Sequence, residues 1–251
     1  MQISKSVISD IRFLHQAKFR KETGLFIAEG EKVVGELLQS GLKVRIVAGL
    51  PDFLALCGPL PEKALVYEID EKDLNRISLL QTPNRVLAVA EQPPKDEAHL
   101  PKENETVLAL DGIRDPGNLG TIIRTAEWFG VSQIWCSEDT VETFNPKVVQ
   151  SAMGSLFRMK LVSCNLKSML EEANRQESMS VFGATLDGLP ADRLVAGRSR
   201  ILVIGSESHG ISAELLQVIN SKVLIPRAKN SKTESLNAAV ATGILLSAVT
   251  K

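Results

Sequence analysis

The stretch Val107-Leu-Ala-Leu-Asp-Gly-Ile-Arg-Asp-Pro-Gly-Asn-Leu-Gly-Thr-Ile-Ile-Arg124 runs from an unbroken apolar segment, through a polar turn, into a helical pattern. Asp115 carries the side chain of an N-cap, and Pro116 suits a first helical turn, where a missing N–H costs nothing. Leu119, Ile122, Ile123 and Ala126 fall at i, i+3, i+4 and i+7, which predicts one buried stripe. Gly117 and Gly120 precede Arg124 by seven and four residues and share its helix face, leaving a shallow slot in front of the arginine. Taken alone, the pattern is equally a strand-to-helix turn whose glycines permit close packing.

The rhythm continues on both sides of this stretch. Apolar runs at Val107–Leu110, Gln133–Cys136, Val181–Ala184, Ile201–Ile204 and Val223–Ile225 read as strands. They alternate with helical patterns at Pro116–Phe129, Pro146–Phe157, Leu166–Gln176, Ala213–Ile219 and Leu236–Thr250. Continuous apolar strands covered by helices predict a mostly parallel sheet, and so an α/β fold. Upstream, Glu91-Gln-Pro-Pro-Lys-Asp-Glu and Pro101-Lys-Glu-Asn-Glu105 are polar and hold three prolines, the composition of a linker. The expected division is residues 1–92, a linker 93–105, and residues 106–251. In the first part, Leu25–Ala28, Val44–Ala48, Leu65–Ile69 and Arg85–Ala90 read as strands, with a helix around Val33–Leu38 ending near Gly41. A second, smaller α/β unit is expected there.

Composition narrows the function. A 44% hydrophobic content supplies a core and excludes a disordered chain. Residues 1–10 lack an apolar signal core and no apolar run reaches membrane-spanning length, so no membrane partner and a cytoplasmic location are expected. Cys57, Cys136 and Cys164, and likewise His15, His99 and His209, are too scattered for a metal site. The net charge of −1 fits nucleic-acid binding poorly, so any nucleic-acid contact would rest on local clusters. Those are Lys18, Arg20 and Lys21, then Arg227, Lys229 and Lys232; each is also readable as solvated surface.

Two further segments lie at strand ends, where open α/β sheets bind ligands. Ile201-Leu-Val-Ile-Gly-Ser-Glu-Ser-His-Gly210 places Glu207 in a polar turn after a buried strand, with His209 reading as a turn residue. Val223-Leu-Ile-Pro-Arg-Ala-Lys-Asn-Ser-Lys-Thr-Glu-Ser-Leu-Asn237 places a long polar loop before an apolar helix, with Ser235 a fair N-cap. The chain has no G-x-x-x-x-G-K-[ST] phosphate loop, no G-x-G-x-x-G fingerprint after a strand and no G-x-S-x-G elbow.

In this order and spacing, the three segments resemble the three signature motifs of the SpoU (TrmH-like) RNA methyltransferases. Asn118-Leu-Gly120 through Arg124 matches the first, Gly205-Ser-Glu207 through Gly210 the second, and Ile225-Pro226 with Ser235-Leu-Asn237 the third. Phe19–Gly30 is similar to the start of the substrate-binding domain that precedes the catalytic domain in many members, a domain like small RNA-binding ribosomal proteins. The resemblance implies a deep trefoil knot, a homodimer, S-adenosylmethionine as cofactor, and methylation of a ribose 2′-oxygen in structured RNA, with ribosomal RNA favoured over transfer RNA. It implies cofactor contacts at Gly205, Ile225 and Leu236, with Thr185 a weaker candidate. It also implies a reaction centre of Arg124, Glu207, Ser235 and Asn237, with Asn118 beside it. The loop Arg227–Thr233 is longer than in many relatives. The alternatives are a non-catalytic RNA-binding or ribosome-assembly factor on the same scaffold, and a small-molecule α/β enzyme with a nucleotide cofactor.

Overall fold

A computed structural model describes residues 1–193 and 199–250. The helices are α1 (Lys5–Phe13), α2 (Ala17–Thr23), α3 (Glu31–Gln39), α4 (Pro51–Leu56), α5 (Glu71–Ile77), α6 (Pro116–Trp128), α7 (Pro146–Ala152), α8 (Leu166–Ala173), α9 (Ala213–Leu216) and α10 (Ala238–Val249). The strands are β1 (Leu25–Glu29), β2 (Val44–Gly49), β3 (Leu65–Glu68), β4 (Val86–Glu91), β5 (Thr106–Asp111), β6 (Gln133–Cys136), β7 (Leu161–Ser163), β8 (Met179–Pro190), β9 (Ser199–Gly205) and β10 (Ser221–Leu224). Two compact units result: Met1–Pro94 with Glu142–Arg158, and Lys95–Val141 with Met159–Lys251.

The first unit is built on a mixed sheet of order β1-β4-β2-β3. β4 is antiparallel to both β1 and β2, and β2 is parallel to β3. Ile8 and Ile11 of α1 and Leu74 and Ile77 of α5 pack on Ile27, Leu87 and Val89 of the sheet. α5 starts where the Asp70 carboxylate accepts the Asp73 N–H at 2.8 Å. The segment 142–158 supplies α7 and two aromatic rings, Phe144 and Phe157, whose centroids lie 4.7 and 5.9 Å from that of buried Phe26. The helix expected over Pro146–Phe157 stops early, because Met153 and Gly154 both take left-handed backbone (φ 52 and 96). A Cβ at Gly154 would sit 2.6 Å from the Glu36 side chain, so only glycine fits that turn.

Arg20 corrects the sequence reading. Its side chain is only 2% exposed, and it pairs in bidentate fashion with Glu142, Nε at 2.9 Å and Nη2 at 2.7 Å. Its Nη1 donates to the carbonyls of Leu14 (2.7 Å) and His15 (2.9 Å). A guanidinium so enclosed and so fully engaged cannot bind RNA phosphate; it is a structural cross-tie. Lys18 and Lys21 on the same helix are exposed, Lys18 beside Glu22 at 3.9 Å.

The second unit holds a six-stranded, wholly parallel sheet of order β10-β8-β9-β5-β6-β7. Leu119, Ile122, Ile123 and Ala126 of α6 are fully buried, as the spacing requires. Each large aliphatic side chain among them contributes about 1.5–3 kcal/mol. The stretch after Pro94 has no regular structure but is anchored. The buried Gln133 amide donates to Glu97 O at 2.9 Å, and its oxygen accepts from His99 N at 3.2 Å and from Trp135 Nε1 at 2.7 Å. β8 and β10 change register between Lys222 and Val223, which lets residues 184–188 bulge out of the ladder. Because all six strands run one way, the ends of β5, β8, β9 and β10 open on one edge, with Asp111 opposite Gly205.

Replacing Arg20 by leucine should leave the Glu142 carboxylate and two carbonyls without their donor. We expect a loss of about 3 kcal/mol, read as a lower urea midpoint for the transition that melts the first unit. A change below about 1 kcal/mol would contradict the cross-tie.

Candidate functional site

Three loops meet at the carboxyl edge of the parallel sheet. The first leaves β5 at Asp111 and enters α6, where the Asp115 carboxylate accepts the Asn118 N–H at 2.8 Å. The second leaves β9 at Gly205 and doubles back, Ser206 and Gly210 exchanging backbone hydrogen bonds of 3.0 and 2.9 Å. Asp111 clamps its return, accepting the Ser212 N–H at 2.6 Å. The third leaves β10 and ends at Asn237, the N-cap of α10, whose Oδ1 accepts from Ala239 N (2.9 Å) and Val240 N (3.2 Å).

Asn118 joins them. Since the Asn237 oxygen faces the helix amides, its Nδ2 must donate elsewhere, and it does so to Asn118 Oδ1 at 2.8 Å. That orients the Asn118 amide, whose Nδ2 donates to Glu207 Oε1. The direction of every bond in this chain is set by the N–H groups at the start of α10 and ends on a carboxylate. Asn118 therefore stands at the middle of the site, where the sequence resemblance put it at the side.

The other expected residues distribute as follows. Arg124 is exposed on α6, six residues beyond Asn118, and its side chain makes no hydrogen bond or ion pair among the described residues. Ser235 and Leu236 are exposed just before α10. Gly205 and Ile225 are half-buried at the ends of β9 and β10. Thr185 lies in the bulge of β8, its hydroxyl 3.4 Å from Asp187 O. Arg227, Lys229 and Lys232 are exposed on a loop that folds on itself, Arg227 Nη1 donating to Thr233 O at 3.2 Å. His209 is an exposed turn residue, its Nδ1 2.7 Å from Ser208 Oγ.

Burial pushes the Cys136 thiol up to about 12 and the Cys164 thiol up to about 11, away from the thiolate that a nucleophile needs. Among the described residues no three His, Cys, Asp or Glu side chains gather as a metal site. The residue that sequence reasoning missed is Asp111. It was legible as a polar group ending an apolar strand, but its partner lies 101 residues away.

The same edge suits an adenosine-bearing cofactor. Thr185 in the bulge of β8, Gly205 at the end of β9 and Ile225 just past β10 come from three strands adjacent in the sheet, and Leu236 lies just before α10. Leu186 and Leu236 are 81% and 46% exposed, apolar surface of the kind a purine covers. Backbone comes close where side chains are absent. A Cβ on Gly188 would lie 2.6 Å from the Lys222 carbonyl, and one on Gly205 would lie 2.0 Å from Gly210 C.

Gly205 and Gly210 thus make separable demands. Gly210→Ala meets no neighbour but must hold φ near +66°, a cost of about 1 kcal/mol. Gly205→Ala collides with backbone and should cost about 3 kcal/mol or more. Thermal melting that ranked the two equally would contradict this packing.

Residues 105–247 match the model of the SpoU rRNA Methylase family, and residues 5–88 match the MRM3-like substrate binding domain. The chain is 33% identical over 240 residues to the 23S rRNA (guanosine(2553)-2′-O)-methyltransferase RlmP of Bacillus subtilis (strain 168), covering 95% of this chain and 94% of that one. A solved TrmH-family protein from Porphyromonas gingivalis superposes with a TM-score of 0.87 at 37% identity, covering 99% of this chain and 98% of that one. The AdoMet-bound rRNA methyltransferase of Sinorhizobium meliloti does so with a TM-score of 0.85 at 32% identity, covering 99% and 95%. With three signature loops joined through Asn118 and a family model matching its whole second sheet, the chain belongs to the SpoU rRNA methylase family.

Proposed function

We propose that this protein transfers a methyl group from S-adenosylmethionine to a ribose 2′-oxygen of ribosomal RNA, working as a cytoplasmic homodimer. The observation that carries the reading is the hydrogen-bonded chain Asn237–Asn118–Glu207, which unites all three signature loops at one sheet edge. A scaffold that only bound RNA would have no use for that convergence. Similarity to RlmP and to an AdoMet-bound rRNA methyltransferase supports the substrate and cofactor classes.

When bound, S-adenosylmethionine supplies a methyl group already activated by its sulfonium. The backbone at Gly205 and Ile225 and the side chain of Leu236 would hold it, with Thr185 at the margin. The protein's own task is to align the 2′-oxygen and ease the loss of its proton. Arginine is never deprotonated in proteins, so Arg124 acts as a cation. It holds the adjacent phosphate and lowers the hydroxyl's pKa, and the proton leaves to water. Asn118 holds Glu207 in place, and Ser235 and Asn237 position the ribose by hydrogen bonds. Lys18, Lys21, Arg227, Lys229 and Lys232 supply exposed positive charge for the RNA backbone.

The dimer reading rests on α10, which has no charged residue from Ala238 to Val249. One side packs on α6 and β9. The other leaves Val240 and Ile244 exposed at i and i+4, with Leu236 exposed just ahead of the helix, and Trp128 of α6 is 85% exposed. A helix apolar all round is covered on both sides. The return of α10 from the outermost strand β10 to β9 and α6 also supports the trefoil knot. Sedimentation should give twice the chain mass, and Val240→Lys with Ile244→Lys should give a monomer. A wild-type monomer would count against the dimer. Cell fractionation should place the protein with ribosomal RNA; recovery with membranes would remove the location.

A 2′-O-methyl ribose cannot attack its own 3′-phosphate, so product labelled from S-adenosylmethionine should survive alkali as a dinucleotide. Arg124→Lys should lose turnover about 100-fold or more while binding the cofactor normally, since lysine lacks the planar fork. Alkali-labile product would overturn the 2′-O assignment, and normal turnover by Arg124→Lys would overturn the role of Arg124.

A further inference from the structure

Beside the described site, on the next strand of the same edge, three residues hold one arginine at the protein surface. β5 and β6 are paired up to Leu110 and Cys136, and β5 meets β9 on its other side, Asp111 opposite Gly205. Just beyond β6, the Ser137 hydroxyl accepts the Gly112 N–H at 2.8 Å and donates to Asp139 Oδ1 at 2.7 Å. The other carboxylate oxygen accepts from Arg114 Nη2 at 3.3 Å. Gly112 has φ +69°, and a Cβ there would lie 3.0 Å from Asp139 Oδ2, so the glycine leaves room for the carboxylate. The Ser137 hydroxyl first, and Arg114 after it, hold the Asp139 carboxyl below its usual range.

Stability does not account for this arrangement. Arg114 and Asp139 side chains are 71% and 54% exposed, and ion pairs so exposed contribute almost nothing to folding. What the arrangement does is fix the direction of a guanidinium whose remaining donors face water. A planar, pre-oriented fork of N–H groups suits an RNA phosphate better than a free side chain does. Asn118 lies four positions beyond Arg114, at most about 14 Å of chain, so the phosphate that Arg114 could reach lies close to the reacting nucleotide.

We propose that Arg114, oriented by Asp139, Ser137 and the glycine at 112, is a substrate-positioning residue that grips an RNA phosphate next to the nucleotide being methylated. The inference rests on the methyltransferase reading above and adds a contact outside the three signature loops' hydrogen-bonded chain. Asp139 acts through Arg114 and does not touch RNA.

The test uses the full-length protein, S-adenosylmethionine and an unmodified transcript of the large-subunit ribosomal RNA. Arg114→Ala should raise KM for RNA about ten-fold with kcat within two-fold. It should also lower the slope of log affinity against log salt by about 0.7–0.9, the loss of one phosphate contact. Asp139→Asn should raise KM about three-fold yet keep the salt slope, because the charge remains but its direction is loosened. Arg114→Lys should recover the slope and only part of the KM. The rise in melting temperature on adding S-adenosylmethionine should be the same in all three variants and the wild type. An unchanged KM and salt slope in Arg114→Ala would overturn the proposal, as would an equal fall in cofactor binding, which would mark a structural role. If wild-type protein transferred no methyl group to any RNA, the methyltransferase reading would fail first, which is a distinguishable result.

Discussion

The site depends on one hydrogen-bonded chain that starts at backbone amides and ends on a carboxylate. The N–H groups of Ala239 and Val240 fix the Asn237 oxygen, Asn237 then fixes Asn118, and Asn118 fixes Glu207. Each link leaves the next amide only one orientation. Reversing any one of them would set donor against donor or acceptor against acceptor. The chain spans 119 residues of sequence from Asn118 to Asn237, so the site exists only when the parallel sheet and α10 are both in place. The apolar character of α10 belongs to the same constraint. A helix buried against α6 and β9 presents its first turn at the sheet edge, where its unpaired amides face Asn237.

The sheet was legible in the sequence because its strands are short apolar runs buried on both faces, and α6 because its stripe repeats at helical spacing. β7 was missed: three residues at the sheet's edge, only one of them buried, leave too little pattern. α1, α2 and α5 were missed because each is nine residues or fewer and at least half polar, and α4 because its six residues are too few to show a helical period. The misreading of Arg20 has a different cause. Locally it sits between two exposed lysines, and nothing nearby shows that Glu142, 122 residues on, will enclose it. Asn118 was recognised as part of a motif, yet its central place follows from two partners that no local pattern can pair.

Electrostatics reconciles a net charge of −1 with an RNA substrate. Several arginines are tied up by carboxylates inside the first unit: Arg20 by Glu142, Arg85 by Glu31 and Asp52, and Arg45 by Glu91. In each of these the positive charge already faces a carboxylate. What faces solvent near the sheet edge is a smaller, arranged set: Arg114, Arg124 and the loop Arg227–Lys232. Local potential, set by which acids neutralise which bases, governs phosphate binding more than the sum does.

The central claim is that Asn118 assembles the reaction centre without holding up the fold. Asn118→Ala removes both side-chain bonds from a half-buried position outside the core, so its melting temperature should stay within about 4 °C of wild type. Misplacement of the three loops should still cost about 100-fold in the single-turnover rate of methyl transfer to RNA. Measuring that rate with saturating S-adenosylmethionine decides the matter. A large fall in a normally folded protein is the predicted result, and a rate within two-fold of wild type would contradict the account.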